Sequence, residues 1–353
     1  ATVVLDYTPA PGQFINNPAL SNPVYALGPP IGGGTQAANN SEVVSLGGFG
    51  GSITLGFAET VYDDPRNPYG LDAIVFGNAF WTGGDPTRRF AEGGIIEISR
   101  DVNGNGIPDD PWYVIRGSSL PNPAALARMT QQWDNDPNTP TPPANLAWYP
   151  DPAQYPHIPG AYSTTGYLLP TPFQSVPLVH PGGAAAVYEV HYGYADLSPV
   201  LILGDLTGNN IVDDPDISPE EFYTRPDNPF MVGVRPGSGG GDAFDIAWAV
   251  DPETGEPANL DGFDFIRIST GANAIAGIFG ELSTEVSAVA SVAPDPLFFD
   301  VNSDGRLDVE DLYAWHGSPT DLTGQGVTGD ADRRLLQRAI RADETHDVME
   351  GMP

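Results

Sequence analysis

The chain has 353 residues, and its 46 acidic and 14 basic side chains give a formal net charge of −32. A surface with this much negative charge repels the phosphate backbone of nucleic acids and the headgroups of anionic lipids. We therefore expect neither nucleic acid nor a membrane surface as a partner. The absence of cysteine excludes disulfide bonds and thiol nucleophiles. No apolar run reaches the 18 residues of a membrane span, so membrane insertion is not expected either.

Glycine (42 residues) and proline (37 residues) separate short β-branched runs along the whole chain. This pattern predicts a mostly-β fold, a β-sandwich of the jelly-roll or lectin-like kind with long loops. The predicted strands are residues 2–7, 42–46, 52–57, 73–76, 95–99, 112–116, 186–191, 200–203, 244–250, 263–269 and 285–292. The first of them is either an edge strand of its own sandwich or a donor strand that completes a neighbouring molecule's sheet.

Residues 117–185 differ from the rest of the body, residues 1–293, because proline is dense there and aromatic residues are interleaved. We expect a long insertion packed onto the sandwich, with one helix at residues 124–133. A sugar-stacking platform is the alternative use of its aromatic side chains. These are Trp133, Trp148, Tyr149, Tyr155, Tyr162, Tyr167 and Phe173.

Residues 294–353 form a separate C-terminal module in this prediction. Residues 300–311 place oxygen side chains at loop positions 1, 3, 5, 9 and 12 and glycine at position 6, which is the spacing of an EF-hand calcium loop. A second such loop spans residues 321–332. An apolar helical pattern follows each loop, and prolines leave no room for a helix before either. The expected apolar faces are Val309, Leu312, Tyr313 and Ala314, then Leu335, Leu336, Ala339 and Ile340.

Two loops, each with an exiting helix, within residues 300–341 resemble the dockerin module of secreted bacterial proteins. The resemblance implies one calcium set made of Asp300, Asn302, Asp304, the Arg306 carbonyl, Asp308 and Asp311. It implies a second set made of Asp321, Thr323, Gln325, the Val327 carbonyl and Asp332. The second loop departs from the pattern because it lacks an acid at position 5, so we expect it to bind calcium more weakly.

Two loops of the body repeat the calcium spacing. Residues 101–110 offer Asp101, Asn103, Asn105, the Ile107 carbonyl and Asp109 or Asp110; the alternative is an Asn/Gly-rich turn without metal. Residues 205–216 are a looser copy, in which Asn210 replaces the glycine because asparagine tolerates the left-handed conformation. The candidate ligands there are Asp205, Thr207, Asn209, Ile211, Asp213, Asp214 and Asp216.

Residues 46–57, 75–80 and 101–113 of the body resemble secreted bacterial cell-surface proteins of unassigned activity, which implies an exported β-rich module. The start at Ala1, without methionine, fits a mature exported product. Asp63 and Asp64 are interpreted as a solvated turn, and Asp242, Asp245, Asp251, Asp261 and Asp264 are assigned no metal.

These features predict a secreted bacterial protein of the cell surface or extracellular matrix, held together by about four Ca²⁺ ions. It is expected to associate with itself into a filament or matrix, with residues 2–7 as a possible donor strand. Binding of glycans by an adhesion module is the alternative. A glycoside hydrolase is the second alternative, because many carboxylate pairs are available. No zinc or serine-hydrolase motif is present, so an enzyme is not the expected class.

Overall fold

The computed structural model describes residues 1–118, 127–138, 145–169, 190–275 and 281–350, with side chains as far as residue 344. The strands are β1 (Val3–Thr8), β2 (Val44–Ser45), β3 (Ser52–Tyr62), β4 (Ala73–Phe76), β5 (Phe80–Trp81), β6 (Arg89–Phe90), β7 (Gly94–Ser99), β8 (Trp112–Ile115), β9 (Arg128–Asp134), β10 (Ala161–Tyr167), β11 (Asp242–Phe244), β12 (Ala249–Val250), β13 (Gly262–Thr270), β14 (Glu285–Val286) and β15 (Ala288–Ser291). The helices of this part of the chain are α1 (Pro219–Tyr223), α2 (Val309–Gly317) and α3 (Asp330–Glu350). The predicted mostly-β fold with a small helical C-terminal part is confirmed. No helix among the described residues is both long and apolar enough to cross a bilayer.

The largest sheet has six antiparallel strands in the order β1-β3-β13-β7-β8-β12. Its central strand, β13, pairs with β3 on one side and with β7 on the other. Ile266 therefore lies opposite Leu55 in β3 and Ile98 in β7, and all three side chains are fully buried. Such cross-strand apolar contacts fix the register, because a shift of one residue would turn every side chain to the other face.

A smaller layer covers one face of this sheet. It contains the three-stranded sheet β11-β4-β15 and the ribbon of β14 and β2. Val75, Phe244 and Val289 of the smaller layer share one buried cluster with Ile53 and Ile266 of the large sheet. Two sheets that share a core in this way form a sandwich.

Several predicted strands are confirmed within two residues, notably those at residues 73–76, 95–99, 112–116 and 263–269. The prediction at residues 200–203 is wrong, because Val200 forms only an isolated bridge with Gly240. The segment 244–250 is interrupted where Asp245 accepts the N–H of Ala247 and caps a 3₁₀ turn. Most of the predicted strand 186–191 lies outside the described residues.

The helix predicted in the insertion is wrong for residues 128–133. They belong to β9, which pairs with β10 in a hairpin. Burial alternates along β9 with the period of a strand, and Trp133 is on its inner face. Trp133 and Tyr149 are buried with Ala10, and Tyr155 joins the main core. These aromatic rings stabilise the insertion by packing, while Phe173 lies outside the described residues.

The C-terminal module has its own buried cluster, to which α3 contributes the predicted face, Leu335, Leu336, Ala339 and Ile340. The predicted face of α2 is partly wrong: Val309 and Tyr313 are 50% and 72% exposed, and Trp315 is buried instead. Trp315 is held there because its indole N–H donates to the Thr320 carbonyl. The module contacts the body through an Arg338–Asp63 ion pair at 2.7 Å and an edge contact of Phe298 with Tyr69.

Candidate metal-binding loops and a buried acidic cavity

The four predicted calcium loops share two left-handed backbone positions. Position 4 has a positive φ in each loop, at Gly104, Gly208, Ser303 and Gly324. Position 6 does too, at Gly106, Asn210, Gly305 and Gly326. Asn210, with φ of 66°, therefore takes the place of glycine as expected. Left-handed residues at these two positions curl the chain so that alternate side chains can face one centre.

The aspartate at position 1 has the same hydrogen bonds in every loop, because its carboxylate accepts the N–H groups of positions 5 and 6. The distances are 3.1 and 2.8 Å for Asp101, 3.1 and 2.7 Å for Asp205, 3.1 and 2.8 Å for Asp300, and 3.2 and 2.6 Å for Asp321. These bonds hold the first predicted ligand of each loop in place without a bound ion.

A second carboxylate closes each loop by accepting the N–H of position 2. The four bonds run from Val102 to Asp110 (3.1 Å), Leu206 to Asp213 (3.0 Å), Val301 to Asp311 (2.8 Å) and Leu322 to Asp332 (2.9 Å). In the first body loop, Asp109 also accepts from the amide groups of Asn103 and Asn105, both at 3.2 Å. Both Asp109 and Asp110, which were alternatives in the sequence, are thus part of the loop.

Other predicted ligands meet inside the loops. Thr207 donates to Asp213 at 3.2 Å, Asn302 to Asp304 at 3.3 Å and Thr323 to Asp332 at 2.9 Å. In three loops the N–H of position 7 donates to the side chain of position 5: Ile107 to Asn105, Ile211 to Asn209 and Arg306 to Asp304, at 2.7 to 3.0 Å. These bonds tie the polar side chains of each loop to one another, and their oxygen atoms are of the kind that the hard cation Ca²⁺ prefers.

Some predicted ligands have other partners. Asp308 accepts the N–H of Glu310 at 2.7 Å and caps α2. Asp214 accepts the N–H of Asp216 at 3.0 Å. In the described part of the chain, the side chains of Asp214 and Asp216 make no hydrogen bond with any other residue of residues 205–216. The backbone N–H of Asp214 nevertheless donates to the Gly204 carbonyl at 3.0 Å, next to Asp205.

The last loop differs from the others at position 5. The Gln325 side chain is exposed and makes no hydrogen bond with the described residues, and Val327 is exposed as well. Burial alone would raise the pKa of Asp332, but hydrogen bonds from Thr323, Gly329 and Leu322 outweigh it and lower that pKa. The closing carboxylate is thus ready to bind a cation, while position 5 contributes no charge.

Gln325→Asp should therefore strengthen calcium binding in the last loop on the order of tenfold, because affinity rises with the number of charged ligands. Isothermal titration calorimetry of the full chain would measure the change. Gln337→Asp, on α3 outside the loop, is the control. Equal affinities for Gln325→Asp and the unaltered chain would contradict a ligand role for position 5.

Two further acidic clusters were missed in the sequence. In the first, carboxylate oxygens of Asp63, Asp72 and Asp245 lie within 4.8 Å of one another. Burial raises the pKa of Asp245 to about 7, and burial together with Asp245 raises the pKa of Asp72 well above its usual value. Asp63 is thus not part of a merely solvated turn. Arg338 pairs with it and supplies positive charge at this cluster.

In the second cluster, carboxylate oxygens of the buried residues Glu92, Asp196 and Glu285 lie within 4.8 Å of one another. They line a cavity of about 470 Å³ whose other lining side chains include Gln13, Phe14, Asn78, Phe80 and Phe90. The parallel rings of Phe80 and Phe90, 5.4 Å apart, belong to the β5–β6 hairpin.

Amide groups hold the three carboxyl groups in place. Gln13 donates to Glu92 at 2.7 Å, the Asn78 side chain donates to Glu285 at 2.7 Å, and the Asn78 backbone N–H donates to Asp196 at 2.7 Å. Burial, with the neighbouring acids adding to it, raises the pKa values of Glu92 and Asp196 well above their usual range. Burial also raises the pKa of Glu285 to about 7.

Sequence spacing carries no signal for this cluster, because its members are 89 or more positions apart. The bridge between Gly94 and Ala195 brings Glu92 and Asp196 together, and the pairing of β14 with β2 positions Glu285. Facing carboxyl groups are what a glycoside hydrolase needs, but such an enzyme keeps one of them ionised and the other protonated. Here burial raises the pKa values of all three carboxyl groups, which favours their protonated forms.

Comparison with models of known protein families and with curated protein sequences finds no match to this chain.

Proposed function

We propose that the chain is a calcium-stabilised structural protein of a bacterial surface or extracellular matrix, with about four Ca²⁺ ions in its loops. One observation carries the proposal: four separate stretches of sequence have left-handed residues at loop positions 4 and 6 and a position-1 aspartate that accepts the N–H groups of positions 5 and 6. Asn/Gly-rich turns that bind no metal would have no reason to share these backbone positions and hydrogen bonds. The oxygen-only donor sets match the preference of Ca²⁺.

Calcium would act by neutralising carboxylates that repel one another and by tying each loop into one rigid unit. Four Ca²⁺ ions carry eight positive charges, which would bring the net charge from −32 to −24. Outside a cell, calcium is millimolar, so sites with dissociation constants of about 10⁻⁴ M would be mostly filled. This is the support for an extracellular location.

Self-association is the second part of the proposal, and β1 is its proposed element. β1 lies at one end of the six-stranded sheet and pairs with β3 of its own chain, as an edge strand does. The other side of β1 is left without a strand partner among the described residues, and such an edge can pair with a strand of a neighbouring molecule. If β1 were instead donated to a neighbouring molecule as a donor strand, β1 would have to separate from β3 of its own chain.

Glycan binding through the insertion is less well supported, because Trp133, Tyr149, Tyr155 and Tyr167 are buried. A sugar-stacking platform needs exposed rings. The burial of these rings therefore favours a structural role over an adhesion role for the insertion.

Val3→Lys should abolish calcium-dependent assemblies while leaving the monomer folded, because a lysine at a sheet edge opposes strand addition. Electron microscopy in millimolar calcium, with an EGTA sample beside it, would measure the effect. Val232→Lys is the matched control, since both valines are 43% exposed. Assemblies that persist in Val3→Lys would contradict pairing at the β1 edge, and failure of the unaltered chain to assemble would contradict the matrix role.

A further inference from the structure

We propose that Glu92, Asp196 and Glu285, with the side-chain oxygen of Asn78, form a divalent-cation site at the floor of the β5–β6 cavity. This site would be separate from the four loops and lies inside the body of the protein. It would hold a hard cation such as Ca²⁺, because every donor atom is an oxygen.

The first argument is charge. Among the described residues, no arginine lies within ion-pair distance of these three carboxyl groups, and none lines the cavity. The Asp63 cluster, by contrast, has Arg338 at 2.7 Å. Buried carboxylates without a cationic partner are costly, and a bound cation removes that cost.

The second argument is an unpartnered oxygen. The Oδ1 atom of Asn78 is buried and accepts no hydrogen bond from the described residues. The side-chain NH₂ of the same residue donates to Glu285 and its backbone N–H donates to Asp196, so Asn78 lies between two of the acids. A buried carbonyl oxygen without a donor requires an explanation, and a cation bound beside it is a sufficient one.

The third argument is geometry. Carboxylate oxygens that all lie within 4.8 Å of one another can contact one ion at the 2.3 to 2.6 Å typical of calcium. Calcium takes six to eight oxygens, and four protein groups do not complete that number unless carboxylates bind through both oxygens. The cavity of about 470 Å³ leaves room for water molecules to supply the rest and gives the ion a path inward.

The test measures calcium bound per chain by mass spectrometry of the metal after equilibrium dialysis in millimolar calcium. Glu92→Gln/Glu285→Gln should bind one ion fewer than the unaltered chain, whereas Asp227→Asn, which changes a buried acid elsewhere, should bind the same number. The loop variant Asp101→Asn/Asp205→Asn/Asp300→Asn/Asp321→Asn should retain one ion. Equal stoichiometry in the double variant and the unaltered chain would overturn the site. If the loop variant bound as many calcium ions per chain as the unaltered chain, that result would contradict calcium binding by the four loops.

Crystals of the unaltered chain soaked in MnCl₂ give a second measurement that does not depend on how a variant folds. An anomalous difference peak between the three carboxyl groups is the expected result. Peaks in the loops together with an empty cavity floor would overturn the cavity site and leave the proposed function standing. A peak on the cavity floor together with empty loops would support the cavity site and contradict the proposed calcium binding by the loops.

Discussion

Removal of calcium with EGTA should lower the melting temperature of the protein by roughly 8 °C. At 1 mM free calcium and a dissociation constant of about 10⁻⁴ M, each site adds about 1.4 kcal/mol to the free energy of unfolding. Four such loops add about 6 kcal/mol, and with about 2.1 cal/mol/K of unfolding entropy per residue each kcal/mol shifts the melting temperature of a chain of 353 residues by about 1.3 °C. Differential scanning calorimetry with and without EGTA measures the shift.

The loss should be greatest in the C-terminal module, where two of the four loops border one small buried cluster. Backbone hydrogen exchange would then show α2 and α3 exchanging faster in EGTA while β13, at the centre of the large sheet, changes little.

Asp101→Asn and Asp300→Asn provide the controls for this prediction, because each removes one charge and keeps the shape of the side chain. Both should lower the melting temperature in calcium but change it little in EGTA. Glu59→Gln, on an exposed part of β3, should have no effect in either condition. Calorimetric traces that coincide with and without EGTA would contradict a stabilising role for calcium.

The parts that could be predicted from the sequence are those whose determinants are local. A loop of this kind is specified within 12 residues, so the glycine six positions into the spacing that starts at Asp300 or Asp101 already indicates the sharp turn found there. Strands such as β4 and β7 are buried on both faces and read as continuous apolar runs, so their bounds were predicted closely. The exit helices followed from the same local patterns.

The parts that could not be predicted depend on pairing between distant segments. Glu92, Asp196 and Glu285 meet only because the sandwich closes around them, and nothing near any of them in the sequence indicates the other two. The strand β9 was mistaken for a helix because only its pairing with β10 decides between the two. Trp315 could not be distinguished from Tyr313 as the buried residue of α2, since the Thr320 carbonyl that fixes it lies in the following loop.

The calcium-free protein should become less stable as the pH rises from about 4 to 7, which is opposite to ordinary acid denaturation. Burial raises the pKa of Asp227 to about 7 and that of Asp242 to about 6, despite hydrogen bonds from backbone N–H groups and the charge of Arg89. A carboxyl group whose pKa is higher in the folded state binds its proton more tightly there than in the unfolded chain. The protonated carboxyl group therefore stabilises the fold fully at a pH below about 4, which is its pKa in the unfolded chain. This stabilisation is lost as the pH rises through the pKa of the group in the folded protein.

Shifts of this size correspond to about 3–4 kcal/mol for each of the two groups, at 1.4 kcal/mol per pKa unit. Urea unfolding would measure the slope of stability against pH, on protein stripped of calcium with EGTA at neutral pH and then dialysed into calcium-free buffers between pH 4 and 8. Asp227→Asn should flatten that slope, because its side-chain oxygen can still accept the N–H of Arg235 but no longer titrates. Asp6→Asn, which alters an exposed aspartate of β1, should leave the slope unchanged. A stability that rises with pH across this window, or an identical slope in Asp227→Asn, would show that these buried acids are not protonated in the folded protein.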